Sequence, residues 1–198
     1  MGKEKKTNNQ KAGRSSAYRH RTRRLSIRAK ILVPTAVIVA LICCFMALLF
    51  KSRMESDMIM TGAEMAAYVG SLAEHNMNGN LVEMLSEGAE SSVAYQVLSE
   101  SMASTKEGSS IRYMYTLYTD GSKVYYGVDL DEEDRQAIGA EFEDEPYSRL
   151  KPVFEQGTVV KDDKITINNR VPLISAYVPV YNAKDEVVGA IGCDYDAS

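Results

Sequence analysis

The longest apolar run in the chain covers residues 31–50, ILVPTAVIVALICCFMALLF, and contains no charged side chain. A helix of this length rises about 30 Å, which matches the hydrocarbon core of a bilayer. Pro34 falls in the first turn of such a helix, where a missing N–H is tolerated. The run therefore predicts a transmembrane helix.

The alternative interpretation of this run is the apolar core of a cleaved signal peptide. Such cores are about 7–15 residues long and precede a cleavage site made of small residues. Here the run is longer, and Lys51, Ser52 and Arg53 follow it. The pattern therefore favours an uncleaved membrane anchor.

Large or apolar residues recur at steps of four and three after this segment. They form a heptad seam that consists of Met54, Met58, Thr61, Met65, Tyr68, Leu72 and His75. The spacing predicts a long helix over residues 54–75. Two roles stay open, and both can hold along one helix. The helix is either a stalk that pairs with a second copy of the chain, or an amphipathic helix that packs on its own domain.

The next part of the chain keeps a helical pattern up to residue 110. Residues 76–80, NMNGN, are turn formers and predict a break. Residues 81–102 predict one or two further helices, and residues 104–110 a polar loop. A last short helix is predicted over residues 146–156, with Pro146 at its start and Gly157 after its end.

Aromatic and β-branched residues dominate from residue 111 onward. Two strands flank the turn Asp120-Gly121-Ser122 and predict a hairpin. The further predicted strands cover residues 158–161, with residues 165–167 as an extension or return, then 171–181 and 187–195. Residues 131–140 predict an acidic loop with a short helix. The fold class is therefore α+β: the transmembrane helix continues into a long helix that packs on a five-stranded antiparallel sheet.

Charge is divided sharply between the two sides of the apolar run. Residues 1–30 hold eleven Lys and Arg against one Glu, a net charge of +10, whereas the rest of the chain holds 12 against 26, a net charge of −14. Basic segments stay in the cytoplasm, so residues after about 51 should be extracytoplasmic. A basic tail also suits nucleic acid or anionic lipid. Beside a membrane span, topology is the preferred reading, and no nucleic-acid partner is predicted.

The chain thus divides into four predicted segments. Residues 1–30 form a basic cytoplasmic tail and residues 31–50 the transmembrane helix. Residues 51–110 form the stalk and the helical part of the outer domain, and residues 111–198 its antiparallel sheet.

The outer part offers little for catalysis or metal binding. Cys193 is its single cysteine, since Cys43 and Cys44 lie in the apolar run, so no disulfide is available within it. No catalytic motif occurs, and we predict neither an enzyme nor a cofactor. The acidic residues between 129 and 145 fail the EF-hand pattern, because Asp134 stands where Gly is required. We predict a solvated acidic face there, with binding of a divalent ion left open.

The end of the chain resembles a known family. Residues 175–181, SAYVPVY, and residues 187–194, VVGAIGCD, resemble the last hairpin of Cache domains, which are PAS-like extracytoplasmic sensors of bacterial receptors. The resemblance covers roughly residues 50–198 and implies a single Cache module. It also implies a second membrane helix and an output module after Ser198. That module would be a chemotaxis methyl-accepting region, a histidine kinase or a diguanylate cyclase, unless the gene product is truncated.

Strand periodicity selects the candidate site. Val188, Ala190, Gly192 and Asp194 share one face of the last strand, where small residues beside one carboxylate leave room for a ligand. The resemblance implies that Asp194 contacts the ammonium group of the ligand, as in amine-binding Cache domains. The other predicted ligand-binding residues lie on neighbouring strands and are Tyr113, Tyr115, Tyr126, Ser175 and Tyr177. Arg112 has the opposite parity to Tyr113 and cannot face the same pocket without a bulge.

These patterns together predict a membrane-anchored extracytoplasmic sensor that binds a small ligand and signals across the membrane, as part of a longer receptor. The ligand class stays open between amino acid, amine and carboxylate. The predicted partners are the ligand, the membrane and a second copy of the chain at the stalk helix. The alternative is a ligand-free, surface-anchored dimerisation or interaction module.

Overall fold

The computed structural model describes residues 26–85, 90–168 and 170–198. The chain divides into two compact units, Met1–Leu48 and Leu49–Ser198. Residues 1–25 of the predicted basic tail lie outside the described residues. Within the described part, one helix is long and apolar enough to cross a membrane. This is helix α1, Ile27–Asn76, which contains both the apolar run and the heptad seam.

Helix α1 begins earlier than the apolar run does. Because its first residue is Ile27, Pro34 lies inside the helix and not in its first turn, so that expectation was wrong. Pro34 cannot donate to a carbonyl in the preceding turn. The hydroxyl of the next residue, Thr35, donates to the carbonyl of Ile31 across 2.7 Å.

Three shorter helices follow, each with a recognisable boundary. Helix α2, Gly79–Glu83, begins after Asn78, whose side chain accepts a hydrogen bond from the N–H of Asn80. Helix α3, Val93–Lys106, begins after Ser92 and continues into the segment predicted as a polar loop. Helix α4, Tyr147–Gln156, follows Pro146 and ends at Gly157, which has a left-handed φ of 61°, as its Pro and Gly predicted.

In the described ranges, six strands form one antiparallel sheet. The strands are β1 Ile111–Thr119, β2 Val124–Asp129, β3 Val160–Lys161, β4 Thr166–Asn168, β5 Val171–Tyr181 and β6 Val187–Asp196. Their order is β2-β1-β6-β5-β3, with the short β4 also paired to β5. The predicted α+β class with a five-stranded antiparallel sheet is therefore confirmed, with β4 as a short addition.

Small residues of α1 pack on β5 and β6. Gly70 lies so close to Val178 that an added Cβ would approach its side chain to 2.8 Å. Around it, Ala66 and Ala73 are fully buried in the same core as Cys193 of β6. The absence of long side chains on this face lets the helix lie against the sheet.

The heptad seam lies on the other side of α1. All seven seam residues are exposed, with Tyr68 at 66% and Met54 at 58%. Helix α1 therefore does pack on its own domain, as one of the two interpretations predicted, but its glycines and alanines supply the contact and the seam does not. Among the described residues, the seam of α1 has no partner.

The acidic segment after β2 contains no helix, contrary to the prediction for residues 131–140. Asp129 is buried, and its two oxygens accept the N–H groups of Asp131 and Gln136 at 3.0 and 2.8 Å. Asp131 in turn accepts the N–H of Glu133 at 2.9 Å. Such side-chain bonds compete with helical backbone bonds and hold the segment as a loop. Asp129 is thus not part of a solvated face.

Candidate functional site

Alternation along β6 sends neighbouring residues to opposite faces of the sheet. Ile191 and Cys193 lie in the core beneath α1, whereas Ala190 lies in a second core with Tyr115 and Tyr177. The predicted division of this strand into two faces is therefore confirmed from Ala190 onward. The second face carries the candidate site.

Two adjoining cavities open on this second face, with volumes of about 370 and 160 Å³. They share four lining residues: Tyr115, Asp144, Asn168 and Asp194. We call the two together the acidic cleft, because eight carboxylates and no Lys or Arg line it among the residues that the structure describes. The carboxylates are Asp129, Asp131, Asp134, Glu141, Glu143, Asp144, Glu145 and Asp194.

All six residues predicted from the sequence line the acidic cleft. Asp194 and Tyr115 line both cavities. The larger cavity adds Tyr113 and Tyr126, and the smaller one adds Ser175 and Tyr177. Their common location agrees with the strand periodicity, and their role in binding a ligand stays a prediction.

Strand register explains how these residues meet. Asp194 of β6 is paired with Tyr113 on β1 and with Ser175 on β5. Gly192, two residues earlier, is paired in the same way with Tyr115 and Tyr177. A Cβ at Gly192 would overlap the ring of Tyr115, so the ring lies flat on the strand only because this position is glycine.

The carboxylate of Asp194 is buried, with an exposed fraction of 5%. The hydroxyl of Tyr115 donates to its Oδ1 across 3.3 Å. Burial, together with the charge of the nearby Asp144, raises the pKa of Asp194 to about 7, while hydrogen bonds from Ser175 and Tyr115 oppose the shift. In the described part of the chain, no ion pair involves Asp194.

Several cleft residues were not predicted as site residues. Asp144, Asn168 and Gln136 line the cleft although the sequence placed the acidic segment in solvent. Desolvation raises the pKa of Asp144, and the charge of Glu143 adds to the shift. The sequence does contain a signal for this wall of the cleft. Carboxylates are dense directly after β2, the strand that neighbours β1.

Basic side chains lie beside the cleft but are paired there. Arg112 contacts Asp196 at 3.4 Å and lies over the ring of Tyr113, 5.6 Å from its centroid. The strand pairing does shift register between residues 111 and 113, yet Arg112 does not line the cleft. Arg149 pairs with Asp162 and Glu145.

No family model matches the sequence, and no curated protein is similar to it. Among solved structures, the chain is similar to the periplasmic sensory domain of the Campylobacter jejuni chemoreceptor Tlp1, at 14% identity and a TM-score of 0.38, covering 73% of this chain and 56% of that one. It is also similar to the sensory domain of the C. jejuni chemoreceptor Tlp3, at 11% identity and a TM-score of 0.42, covering 76% and 63%.

A third structure is the ligand-binding domain of Tlp3 in complex with L-valine, at 11% identity and a TM-score of 0.41, covering 76% of this chain and 62% of that one. The chain thus spans 56–63% of the length of these chemoreceptor chains. The first two are described as sensory domains and the third as a ligand-binding domain, all of chemoreceptors.

Proposed function

We propose that this chain is the membrane-anchored sensor part of a receptor of the Cache class. In this proposal residues 31–50 anchor the chain, residues 1–30 lie in the cytoplasm, and residues after about 51 lie outside. Residues 51–110 form the stalk and helical part of the sensor, and residues 111–198 its sheet. The acidic cleft binds a small amine, and the chain itself performs no catalysis.

The observation that carries this proposal is the buried carboxylate of Asp194 in a cleft without basic residues. An ionised carboxylate away from water is unfavourable unless a cation and hydrogen bonds compensate it. Tyr115 supplies one hydrogen bond, but in the described part of the chain no side chain supplies a positive charge. An ammonium group from a ligand would supply it.

The lining also supports one ligand class over the others. A ligand carboxylate would need Arg or Lys in the cleft, and neither lines it. Carboxylates on every side would repel such a group. Of the amine, amino acid and carboxylate classes, the cleft therefore favours an amine, whose apolar part can lie on Tyr113 and Tyr126.

Two strands connect the cleft to α1. In β6, Asp194 lines the cleft while the adjacent Cys193 packs in the core with α1. In β5, Tyr177 lines the cleft while the adjacent Val178 contacts Gly70 of α1. We infer that a ligand-induced change in these strands shifts α1, the helix that also contains the candidate membrane span.

The exposed heptad seam supports dimerisation. Met58, Met65 and Leu72 are 37–41% exposed, and Met54 and Tyr68 more than half exposed, at a spacing that suits a coiled coil. We infer that a second copy of the chain covers this seam. The same observation favours the alternative function, a dimerisation module without a ligand, which would leave the acidic cleft unused.

Binding of an amine distinguishes the two functions. We would purify the full chain in detergent and titrate it with n-butylamine by calorimetry, beside Asp194→Asn and the control Asp163→Asn. Asp163 is exposed and does not line the cleft. Saturable binding that Asp194→Asn abolishes and Asp163→Asn preserves supports the sensor. No binding, with a dimer that depends on the seam, supports the ligand-free module.

A further inference from the structure

The acidic cleft holds more negative charge than one ammonium group can neutralise. If the proposed sensor function holds, we infer that the ligand is a linear diamine or polyamine. One ammonium group lies at the buried Asp194, and at least one more lies among the exposed carboxylates of the cleft. This inference rests on the proposed function and names the ligand class within it.

The carboxylates are spread along the cleft from its buried part to its exposed rim. Asp194 is 5% exposed and lines both cavities, whereas Asp134 and Glu143 are exposed in the larger cavity. Asp144 also lines both cavities and is exposed. A chain-like cation can contact several of these charges, whereas a single ammonium group contacts only one part of the cleft.

Most of these charges have no cation of their own. Among the described residues, Glu141 pairs with Lys123 at 2.6 Å and Glu145 with Arg149 at 3.5 Å. In the same part of the chain, no ion pair involves the other six carboxylates of the cleft, although the charge of Arg135 acts on Asp129. The amide of Asn168 donates to Asp144 across 3.3 Å but brings no charge. Neighbouring carboxylates without cations repel one another, and a second ammonium group relieves that repulsion.

A compact metal ion fits this arrangement less well than an extended cation. In the described ranges, no group of three or more His, Cys, Asp or Glu could hold a metal ion. A divalent cation needs several oxygens at one point, about 2.0–2.6 Å away. Separated carboxylates suit charges that are themselves separated along a chain.

A methylated ammonium group is also disfavoured. Such groups bind inside open cages of aromatic rings. Here the rings pack on one another, with Phe142 at 5.2 Å from Tyr126 and 5.7 Å from Tyr115 between centroids. Phe142 is 3% exposed, so the rings form a core and not an open cage. Primary ammonium groups, with three donors each, match the carboxylate oxygens better.

The test compares amines that carry different numbers of charges, with Mg²⁺ as a compact divalent cation. The full chain in detergent is titrated at fixed ionic strength with n-butylamine, 1,4-diaminobutane, spermidine and MgCl₂. We expect the diamine to bind at least about tenfold tighter than the monoamine, the factor given by one further charge-assisted pair. Equal affinities for the monoamine and the diamine, or equally tight binding of Mg²⁺, would overturn the inference.

Variants then locate the second charge. The double variant Asp134→Asn/Glu143→Gln changes two exposed side chains and leaves Asp194 intact. We expect it to weaken binding of the diamine more than binding of n-butylamine, so that the ratio of the two affinities falls toward one. An unchanged diamine affinity would contradict the inference alone. If no amine binds the unmodified chain, the proposed function fails, and the inference fails with it.

Discussion

The hydroxyl of Tyr115 donates a hydrogen bond to Oδ1 of Asp194 across 3.3 Å, between the neighbouring strands β1 and β6. Both side chains are almost fully buried, at 4% and 5% exposure. Burial, and then the charge of Asp194, raise the pKa of Tyr115 well above its ordinary value. Tyr115 therefore stays a donor at neutral pH, and Asp194 is the member of the pair that titrates.

Tyr115→Phe tests this hydrogen bond. Without the hydroxyl, the ionised form of Asp194 loses a donor, so the pKa of Asp194 rises further and amine binding weakens. A hydrogen bond to a charged group contributes about 1.5–3 kcal/mol, so we expect affinity for 1,4-diaminobutane to fall about tenfold or more. Calorimetry at pH 7 measures it, with Tyr118→Phe as the control, because Tyr118 does not line the cleft. An unchanged affinity would show that the hydroxyl is not needed to hold the carboxylate.

Amine binding should depend on pH through Asp194. The ligand stays protonated below about pH 10, as lysine does, while Asp194 becomes ionised as pH rises through about 7. Affinity should therefore rise by up to about tenfold per pH unit from pH 5 to 7 and level off above it. Titrations at several pH values check this. Asp194→Asn has no such carboxylate, so any residual amine binding by it should lack this rise.

The ligand-free domain should show the opposite trend in stability. The pKa of Asp194 is raised in the folded state from 3.8 to about 7, so between these values the folded state binds more protons than the unfolded state. Through this group, the free energy of unfolding should therefore be highest below about pH 4, fall between about pH 4 and 7, and level off above pH 7. The pKa values of Asp144 and Asp162 are also raised, mainly by burial, and act in the same direction.

Asp194→Asn should remove the largest part of this dependence and stabilise the ligand-free domain at pH 8. An increase on the order of 1–4 kcal/mol is expected, since each pKa unit corresponds to about 1.4 kcal/mol. The chain has no Trp and 12 Tyr, all but Tyr18 beyond residue 67, so near-ultraviolet circular dichroism of tyrosine follows unfolding. A variant that is less stable than the unmodified chain at pH 8 would contradict the assignment of Asp194 as an uncompensated charge.

Gly192 tests the packing that positions Tyr115. In Gly192→Ala, the new Cβ overlaps the ring, so the ring must move away from the strand. We expect a loss of about 1–3 kcal/mol of stability, together with weaker amine binding. The double variant Gly192→Ala/Tyr115→Ala removes the overlap, so its loss of stability should be smaller than the sum of the two single losses, which a double-mutant cycle measures. Additive losses in the cycle would show that the two residues do not interact.

Local rules predicted most of the elements, and strand parity is consistent with the common location of the six candidate residues, whose role in binding stays a prediction. Two features depended on information that periodicity does not contain. The segment after Asp129 is a loop because one carboxylate binds two backbone N–H groups, which a charge pattern does not reveal. The buried face of α1 consists mainly of Gly and Ala, with Val69, whereas the larger methionines that define the periodic pattern lie on the opposite face.

That opposite face leads to the last prediction. Tyr68 and Leu72 are exposed on α1 at 66% and 40%, one turn apart on the seam. In Tyr68→Glu/Leu72→Glu, charges would face each other across a symmetric dimer, so the full chain in detergent should shift from dimer to monomer. Light scattering after size exclusion measures the mass. Met60→Glu is the matched control, because Met60 is 62% exposed on α1 but lies outside the seam.

Amine affinity, measured on the same variants, tests whether the seam and the cleft act independently. Because the seam residues do not line the cleft, the monomeric double variant should bind 1,4-diaminobutane within about twofold of the unmodified chain. If the unmodified chain is already a monomer, the seam does not mediate dimerisation. A dimer that persists in the double variant and is lost in Met60→Glu would move the interface to another face of α1.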